Sequence, residues 1–185
     1  MLESLDGMLY TVEGGTLFRT DPSSGRWRQL GKKGEWSATV ATAAMGGFLW
    51  SIEPDGTLYK TSKSGQHERI GPRGAFSDVE LLAAMGGKLW TIENGTLYAT
   101  DPDRGRRRRV GDEGEWSDTV GLAASAGVLW CLQEGGTLYK ADATGAYEQS
   151  GNTSEYAGTE MLVAVGPSLY TVENGTLTER GNGGI

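Results

Sequence analysis

Short apolar stretches alternate with glycine-rich turns along the whole chain of 185 residues. The unit from Leu81 to Trp116 predicts four short strands separated by tight turns: an apolar strand ending at Met85, then Lys88 to Glu93, Thr96 to Thr100, and Arg106 to Val110. The aromatic residue at the centre of the second strand recurs every 40 residues, as Tyr10, Trp50, Trp90, Trp130 and Tyr170. A 40-residue repeat of four strands is typical of a propeller blade. The pattern therefore predicts an all-β, five-bladed β-propeller.

The repeats cover approximately residues 1–37, 38–77, 78–117, 118–157 and 158–185, and we expect them to form a single domain over 1–185. Only five residues follow Arg180, so the last blade is predicted to have three strands. Because the terminal repeats keep the apolar pattern of the middle ones, the two ends should pack on each other. An unpaired outer edge in the last blade would also favour self-association of the chain.

Each strand of the repeat has its own composition. The first strand is rich in alanine, which predicts a crowded position near a central axis, and the aromatic residue of the second strand is expected in the core between blades. The fourth strand is polar and is interpreted as a solvated rim. Its run of four arginines in the third repeat, Arg106 to Arg109, is assigned to that rim rather than to an anionic partner.

Charge and composition narrow the possible partners. The net charge of -7 opposes binding to polyanions, so neither nucleic acid nor anionic membrane is an expected partner. No stretch is long and apolar enough for membrane insertion, and the first residues lack the pattern of a signal peptide. The chain is therefore expected to be soluble, with its compartment unassigned.

The sequence offers little material for catalysis. With His67 as the only histidine, neither a serine triad nor a histidine metal site can be assembled, so we predict no catalytic residue, no metal and no cofactor. Acidic side chains do recur at the end of the second strand, as Glu13, Glu53, Glu93 and Glu173, with Gln133 in the fourth repeat. They could bind cations or act as acid and base; the alternative, which Gln133 favours, is that each accepts hydrogen bonds from backbone amides of the adjacent turn.

The connection between the fourth strand and the next blade is the most distinctive segment. It carries an aromatic residue at a fixed place, with small or polar neighbours, and provides the candidate ligand-binding residues Gly34, Glu35, Trp36, Ser37, Gly74, Phe76, Ser77, Gly114, Glu115, Trp116, Ser117, Glu155 and Tyr156. Such an aromatic residue could stack on a sugar ring while its neighbours bind the hydroxyl groups. It could equally pack as a wedge between blades.

The Gly-x-Trp-Ser connection, the Leu-Trp-x-Ile strand and the Gly-x-Leu-Tyr-Lys strand together resemble the repeat of tachylectin- and tectonin-type propeller lectins. The resemblance covers all five repeats in outline and implies a five-bladed ring with one N-acetylhexosamine site between neighbouring blades. The motif falls on Gly34 and Trp36, Gly74 and Phe76, and Gly114 and Trp116, whereas Ser154 and Tyr156 depart from it. The loop joining the two outer strands is also shorter than in that family.

Two non-enzymatic functions follow from these patterns. The first is a lectin that binds N-acetylated hexoses weakly at several equivalent sites, so that affinity comes from multivalency. The second is a protein-interaction scaffold, or a repeat propeller without a small-molecule ligand. A lectin requires the same polar groups at each site, whereas a scaffold requires a face that breaks the repeat symmetry.

Overall fold

The computed structural model describes residues 1–104 and 106–180, which form nineteen strands and no helix. The strands group into five antiparallel sheets, or blades, that follow one another along the chain. Blade 1 contains β1 (Leu2–Leu5), β2 (Met8–Glu13), β3 (Thr16–Thr20) and β4 (Trp27–Leu30). Blade 2 contains β5 (Ala41–Met45), β6 (Phe48–Ile52), β7 (Leu58–Thr61) and β8 (His67–Ile70). Blade 3 contains β9 (Val79–Met85), β10 (Lys88–Glu93), β11 (Thr96–Asp101) and β12 (Arg106–Val110).

The remaining blades continue the same order. Blade 4 contains β13 (Thr119–Ser125), β14 (Val128–Gln133), β15 (Leu138–Ala141) and β16 (Tyr147–Ser150). Blade 5 contains β17 (Thr159–Val165), β18 (Ser168–Glu173) and β19 (Thr176–Glu179). Four blades of four strands and a last blade of three, in sequential order within each sheet, are the architecture of a five-bladed β-propeller and confirm the predicted fold class.

The chain divides into two compact units, residues 1–80 and 81–185. Unit 1 contains blades 1 and 2, and unit 2 contains most of blade 3 together with blades 4 and 5. The single domain and the packing of the two chain ends on each other stay predictions.

Tight turns hold the strands of each blade in register. Between β10 and β11, Glu93 pairs with Thr96 across the turn residues Asn94 and Gly95, whose φ angles are 47° and 69°. Two consecutive positive φ angles belong to the type I′ hairpin, which asparagine followed by glycine favours.

The aromatic residues of the second strands form the core, as predicted. Tyr10, Trp50, Trp90 and Trp130 are buried, and Tyr170 is partly buried. The indole N–H groups of Trp50 and Trp90 donate to the carbonyls of Met45 and Met85, at 3.1 and 3.0 Å, while that of Trp130 donates to the Ser125 hydroxyl at 2.9 Å. Each indole thus buries its ring without leaving its donor unpaired.

The alanines of the first strands are also buried where these strands meet. Ala43 is 2% exposed, Ala83 5% and Ala123 6%. Within unit 1, β1 contacts β5, and within unit 2, β13 contacts β17. Small side chains allow the backbones of two neighbouring blades to approach at these strands; convergence of all five strands on one axis stays a prediction.

The fourth strands are the most exposed, as predicted, with one correction. Arg107 is exposed like the rest of the arginine run, yet its guanidinium carbon lies 4.1 Å from the ring centroid of Tyr98, and its side chain pairs with Glu93. The Arg108 guanidinium also donates to the carbonyl of Ala143, at 3.1 Å, so the arginine run makes contacts within the fold that its position on the rim did not predict. No helix among the described residues is long and apolar enough to cross a membrane.

Candidate functional site

The four aromatic residues of the connections are buried. Trp36 is 6% exposed, Phe76 7%, Trp116 2% and Tyr156 8%. The backbone N–H of each donates to the carbonyl of a glycine in the turn between the second and third strands of the blade that it follows: the acceptors are Gly15, Gly56, Gly95 and Gly136, at 2.8, 3.1, 2.8 and 2.9 Å. This arrangement corresponds to the packing alternative, since little ring surface is left for stacking on a sugar.

In each of the first four blades, this docking requires the glycine that precedes the Thr-Leu pair at the start of the third strand; Gly175, its counterpart in blade 5, has no atom within 4 Å of an added Cβ. A Cβ atom on Gly56 or Gly136 would overlap the backbone of Ser77 or Ala157, and one on Gly15 or Gly95 would lie 2.7 Å from the Cα of Ser37 or Ser117. All four glycines also have positive φ angles. The recurring motif is therefore explained by close backbone approach as well as by turn conformation.

The polar residues of the connections mostly bind their own loop. The carboxylates of Glu35, Glu115 and Glu155 accept from the backbone N–H groups of Lys32, Asp112 and Asn152, at 2.8, 3.0 and 2.7 Å. The hydroxyls of Ser37 and Ser117 donate to the carbonyls of Gly34 and Gly114, at 2.8 and 2.5 Å. Gly74, Phe76 and Ser77 occupy the same places after β8. The structure thus brings the predicted site residues together within each connection.

The acidic residues at the ends of the second strands bind threonine hydroxyls, which corrects the expectation of backbone amide donors. Thr11 donates to Glu13 at 2.8 Å, Thr39 to Glu53 at 3.0 Å and Thr91 to Glu93 at 2.6 Å. Gln133 reverses the direction, because its amide nitrogen donates to the Thr119 hydroxyl at 2.9 Å. Among the described residues, no group of three or more His, Cys, Asp or Glu side chains is arranged to hold a metal ion.

Two pockets lie beside connections that carry predicted site residues. The first, in unit 1, has a volume of about 450 Å³, and we call it the Tyr59 pocket; its walls include Glu35, Trp36, Glu53, Asp55, Tyr59 and His67. The second, in unit 2, has a volume of about 600 Å³, and we call it the Tyr139 pocket; its walls include Glu115, Trp116, Asp118, Gln133, Tyr139 and Tyr147. Five of these six wall residues of the Tyr139 pocket lie 80 residues after a wall residue of the Tyr59 pocket named above, and Asp118 is the exception.

The Tyr59 pocket carries more acidic than basic groups. Arg73 lies 3.5 Å from the carboxylate of Asp55, and His67 Nε2 lies 3.9 Å from Glu35 Oε1. A hydrogen bond from Thr57 is the main cause that lowers the pKa of Asp55, so this carboxylate is charged at neutral pH. Glu53 forms no ion pair with any residue in 1–104 or 106–180, although Thr39 donates to it. The pocket therefore contains a carboxylate without a paired cation.

The Tyr139 pocket is acidic and aromatic. The ring centroid of Tyr147 lies 5.0 Å from that of Trp116 and 5.7 Å from that of Tyr139, and both contacts are edge to face. A hydrogen bond with the carboxylate of Glu115 is the main cause that raises the pKa of Tyr147. Gln133 replaces the carboxylate that Glu53 provides in the Tyr59 pocket.

The aromatic residue of the third strand has a partner on the fourth strand in each complete blade. Phe18 contacts Trp27 at 5.5 Å, Tyr59 contacts His67 at 5.6 Å, Tyr98 contacts Arg107 and Tyr139 contacts Tyr147. The four partners stand at the same pairing position opposite the third strand. The sequence pattern predicted only a solvated rim for the fourth strand. Aligning the repeats at the position of Trp27, His67, Arg107 and Tyr147 was the signal that could have located the pockets.

No known protein family and no curated protein matches this sequence. Solved structures do resemble it. The chain aligns over 97% of its length with 24% of PorZ, an essential bacterial surface component of the type-IX secretion system of Porphyromonas gingivalis, with a TM-score of 0.66 and 14% identity. It aligns over 96% of its length with 68% of virginiamycin B lyase from Staphylococcus aureus, with a TM-score of 0.59 and 15% identity.

A third similar structure is YCF48 bound to D1 peptide, where 99% of this chain aligns with 64% of that chain at a TM-score of 0.60 and 17% identity. This chain thus spans about a quarter of PorZ and about two thirds of the other two. These neighbours are β-propellers, and the blades place this chain in the same fold class. Identities this low show the fold alone, and the neighbours have diverse functions.

Proposed function

We propose that this chain is a non-enzymatic recognition propeller that binds a peptide segment of a partner protein at the Tyr59 and Tyr139 pockets. One observation carries the proposal: the groups at equivalent positions of the two pockets differ. His67 corresponds to Tyr147, Glu53 to Gln133 and Ala38 to Asp118. Broken symmetry of this kind suits a partner that presents different side chains to different blades.

The peptide in the YCF48 structure supports the proposal by fold-level analogy, because YCF48 is a propeller that was solved with a bound peptide. The scaffold alternative from the sequence is thereby favoured over a ring of identical sites. Virginiamycin B lyase is an enzyme on a related fold, so absence of catalysis is part of the proposal and not a consequence of the fold.

A random peptide library displayed on phage, selected on the folded chain, tests this proposal. Binding of a selected peptide should fall at least about tenfold in Tyr59→Ala or Tyr139→Ala, since removing an anchoring aromatic side chain removes more than about 1.4 kcal/mol. Trp27→Ala is the matched control, because Trp27 is an aromatic residue of the rim that lines neither pocket. A library that yields no binder, or binders that ignore both tyrosines, would refute the proposal.

Carbohydrate binding is the second candidate, and the placement of the pockets favours it. Both lie at the connection to which the tachylectin resemblance assigns an N-acetylhexosamine site, and both combine carboxylates with a half-buried tyrosine ring. The ring that could stack on a sugar would then be Tyr59 or Tyr139, with Glu35 and Glu115 as hydrogen-bond acceptors. The candidate connection residues at Phe76 and Tyr156 stay part of this second proposal.

A glycan array read with the same variants separates the two candidates. N-acetylhexosamine binding that is lost in Tyr59→Ala and Tyr139→Ala would support the lectin. If peptides bind through these tyrosines and no glycan does, the recognition module stands and the lectin is excluded.

A further inference from the structure

Blade 3 contains a complete site for a guanidinium group, occupied by its own arginine. The guanidinium carbon of Arg107 lies 4.1 Å from the centroid of the Tyr98 ring, and its Nη2 pairs with the carboxylate of Glu93. Glu93 is 7% exposed, so this charge is held away from solvent. An aromatic face and a buried carboxylate together select a cation, and a planar guanidinium stacks on the face while its N–H groups reach the carboxylate.

Blade 5 holds a second arginine at the corresponding carboxylate, although that arginine comes from elsewhere in the repeat. Arg180 follows the third strand, whereas Arg107 lies on the fourth. Its Nε donates to the Thr171 hydroxyl at 2.8 Å, its Nη2 pairs with Glu173, and its guanidinium carbon lies 5.3 Å from the centroid of the Tyr156 ring. Arginines from different places in the repeat thus pair with the equivalent carboxylate in blades 3 and 5. The guanidinium site recurs, although the place of the arginine in the sequence does not.

The Tyr59 pocket repeats the walls of these sites, but the arginine that lines it, Arg73, faces Asp55 at 3.5 Å and is not paired with Glu53. Glu53 corresponds to Glu93 and Glu173, and Ser51 to Thr171. Both aromatic surfaces have counterparts, since Tyr59 corresponds to Tyr98 and Trp36 to Tyr156. In blade 2 the position of Arg107 is occupied by His67, whose ring lies 5.6 Å from that of Tyr59 in an edge-to-face arrangement, and Tyr59 still lines the pocket.

Charge in the Tyr59 pocket also suits a cation. Glu35, Glu53 and Asp55 line it, and of these Asp55 is the one that faces Arg73, at 3.5 Å. Glu53 accepts from Thr39 at 3.0 Å and lacks an ion pair within residues 1–104 and 106–180. Its pocket volume of about 450 Å³ accommodates a side chain with the attached peptide backbone.

We propose that the Tyr59 pocket binds the guanidinium group of an arginine side chain supplied by a partner peptide, with Glu53 as its carboxylate and Tyr59 as its aromatic face. This inference rests on the proposed peptide-binding function and names the side chain that is recognised. The Tyr139 pocket is predicted to bind arginine more weakly, because Gln133 occupies the position of the carboxylate. Lysine is the weaker ligand of the Tyr59 pocket, since a point charge does not match a planar two-donor site.

The test uses Nα-acetyl-L-arginine methylamide as the probe and the equivalent blocked lysine as its comparison, titrated into the full chain and followed by two-dimensional NMR. The arginine probe should shift the resonances around Tyr59 and His67 and bind at least about tenfold more tightly than the lysine probe. Equal binding of the arginine and lysine probes would overturn the proposal.

Variants locate the binding. Glu53→Gln should weaken arginine binding about tenfold or more, and its fold is expected to survive because Gln133 stands at the same place in blade 4. Glu13→Gln, at the same position of blade 1 and outside the pocket, is the matched control. Gln133→Glu should strengthen binding at the Tyr139 pocket. Unchanged binding in a folded Glu53→Gln variant would refute the site.

The two proposals fail separately. If phage-selected peptides bind through Tyr59 without any preference for arginine, the arginine site is wrong and the recognition function stands. If the blocked arginine binds and no peptide does, the site is real and the peptide-binding function is wrong.

Discussion

The guanidinium group of Arg107 is held over the ring of Tyr98, with the carbon 4.1 Å from the ring centroid, while the same group pairs with Glu93. A residue of the polar outer strand is thereby connected to the buried end of the second strand. The Tyr59 pocket has the same carboxylate and the same tyrosine, with histidine in place of arginine. The chain therefore contains one carboxylate–tyrosine pair that binds an arginine of its own, in blade 3, and one that does not, in blade 2.

Removal of Arg107 should destabilise the fold. Arg107→Met leaves the carboxylate of Glu93 without its ion pair, and we expect a loss of about 2 to 4 kcal/mol in the free energy of unfolding. The double variant Arg107→Met with Glu93→Gln should recover most of that loss, because no unpaired charge remains. Urea denaturation of the four members of this double-mutant cycle measures the coupling; additive effects would contradict it.

Substitution of Gly136, which contacts a connection, should destabilise the fold more than substitution of Gly127, which does not, although both glycines have a φ angle of 80°. Gly127→Ala meets no atom within 4 Å and should cost about 1 to 2 kcal/mol for its backbone conformation. Gly136→Ala also overlaps the backbone of Ala157, so it should cost at least about 2 kcal/mol more. Denaturant titrations of both variants check this, and equal losses would show that the close approach is unimportant.

The aromatic residues of the connections should behave as core residues. Trp116→Ala is expected to reduce the free energy of unfolding by about 3 to 5 kcal/mol, because a 2% exposed indole is removed from the core of unit 2. Trp27→Ala provides the comparison: this side chain is 67% exposed and should cost less than about 1 kcal/mol. Urea denaturation measures both losses, and similar values at the two positions would argue against Trp116 as a packing residue of the core.

Glu3 should make stability depend on pH. Its carboxyl group accepts from the Thr42 hydroxyl at 3.0 Å, and burial raises its pKa from an ordinary 4.5 to about 7. Between these values the folded state binds a proton that the unfolded state has lost, so this group's contribution makes the free energy of unfolding fall as pH rises from 4.5 towards 7.

The variant Glu3→Gln should abolish that fall and be more stable than the parent above pH 7. Urea denaturation at a series of pH values measures the difference, with Glu13→Gln as the control at an exposed glutamate. Parallel profiles of Glu3→Gln and the parent would contradict the prediction.

The outer edge of blade 5 should support self-association. Among the described residues, β19 is the last strand of its sheet, and Leu177 on this strand is 61% exposed. An unpaired edge with an exposed apolar side chain can pair with a second copy. Light scattering should show a dimer that Leu177→Lys weakens, whereas Val120→Lys, at another exposed apolar residue, leaves it unchanged. A parent chain that is monomeric at all concentrations would exclude this association.

Strand positions were largely predictable because their causes are local. The strand Lys88–Glu93 has the bounds expected from the pattern, since apolar side chains between a Gly-Gly turn and an Asn-Gly turn specify a hairpin within a few residues. Arg106–Val110 also has its predicted bounds. The connection residues were found for the same reason. Their role was not, because the choice between stacking on a ligand and packing in the core depends on the surface that Trp36 or Trp116 meets.

The sequence by itself determined the number of blades, their strand order and the residues that recur, because a 40-residue repeat encodes the same hairpins each time. Only the tertiary structure decided which repeats leave a pocket open. In blades 2, 3 and 5 that outcome depends on whether an arginine reaches the carboxylate at the end of the second strand. Arg107 reaches Glu93 from the fourth strand, and Arg180 reaches Glu173 from beyond the third, whereas Glu53 has only the Thr39 hydroxyl among the described partners. Contacts between strands are set by packing in three dimensions, which periodicity along the chain does not specify.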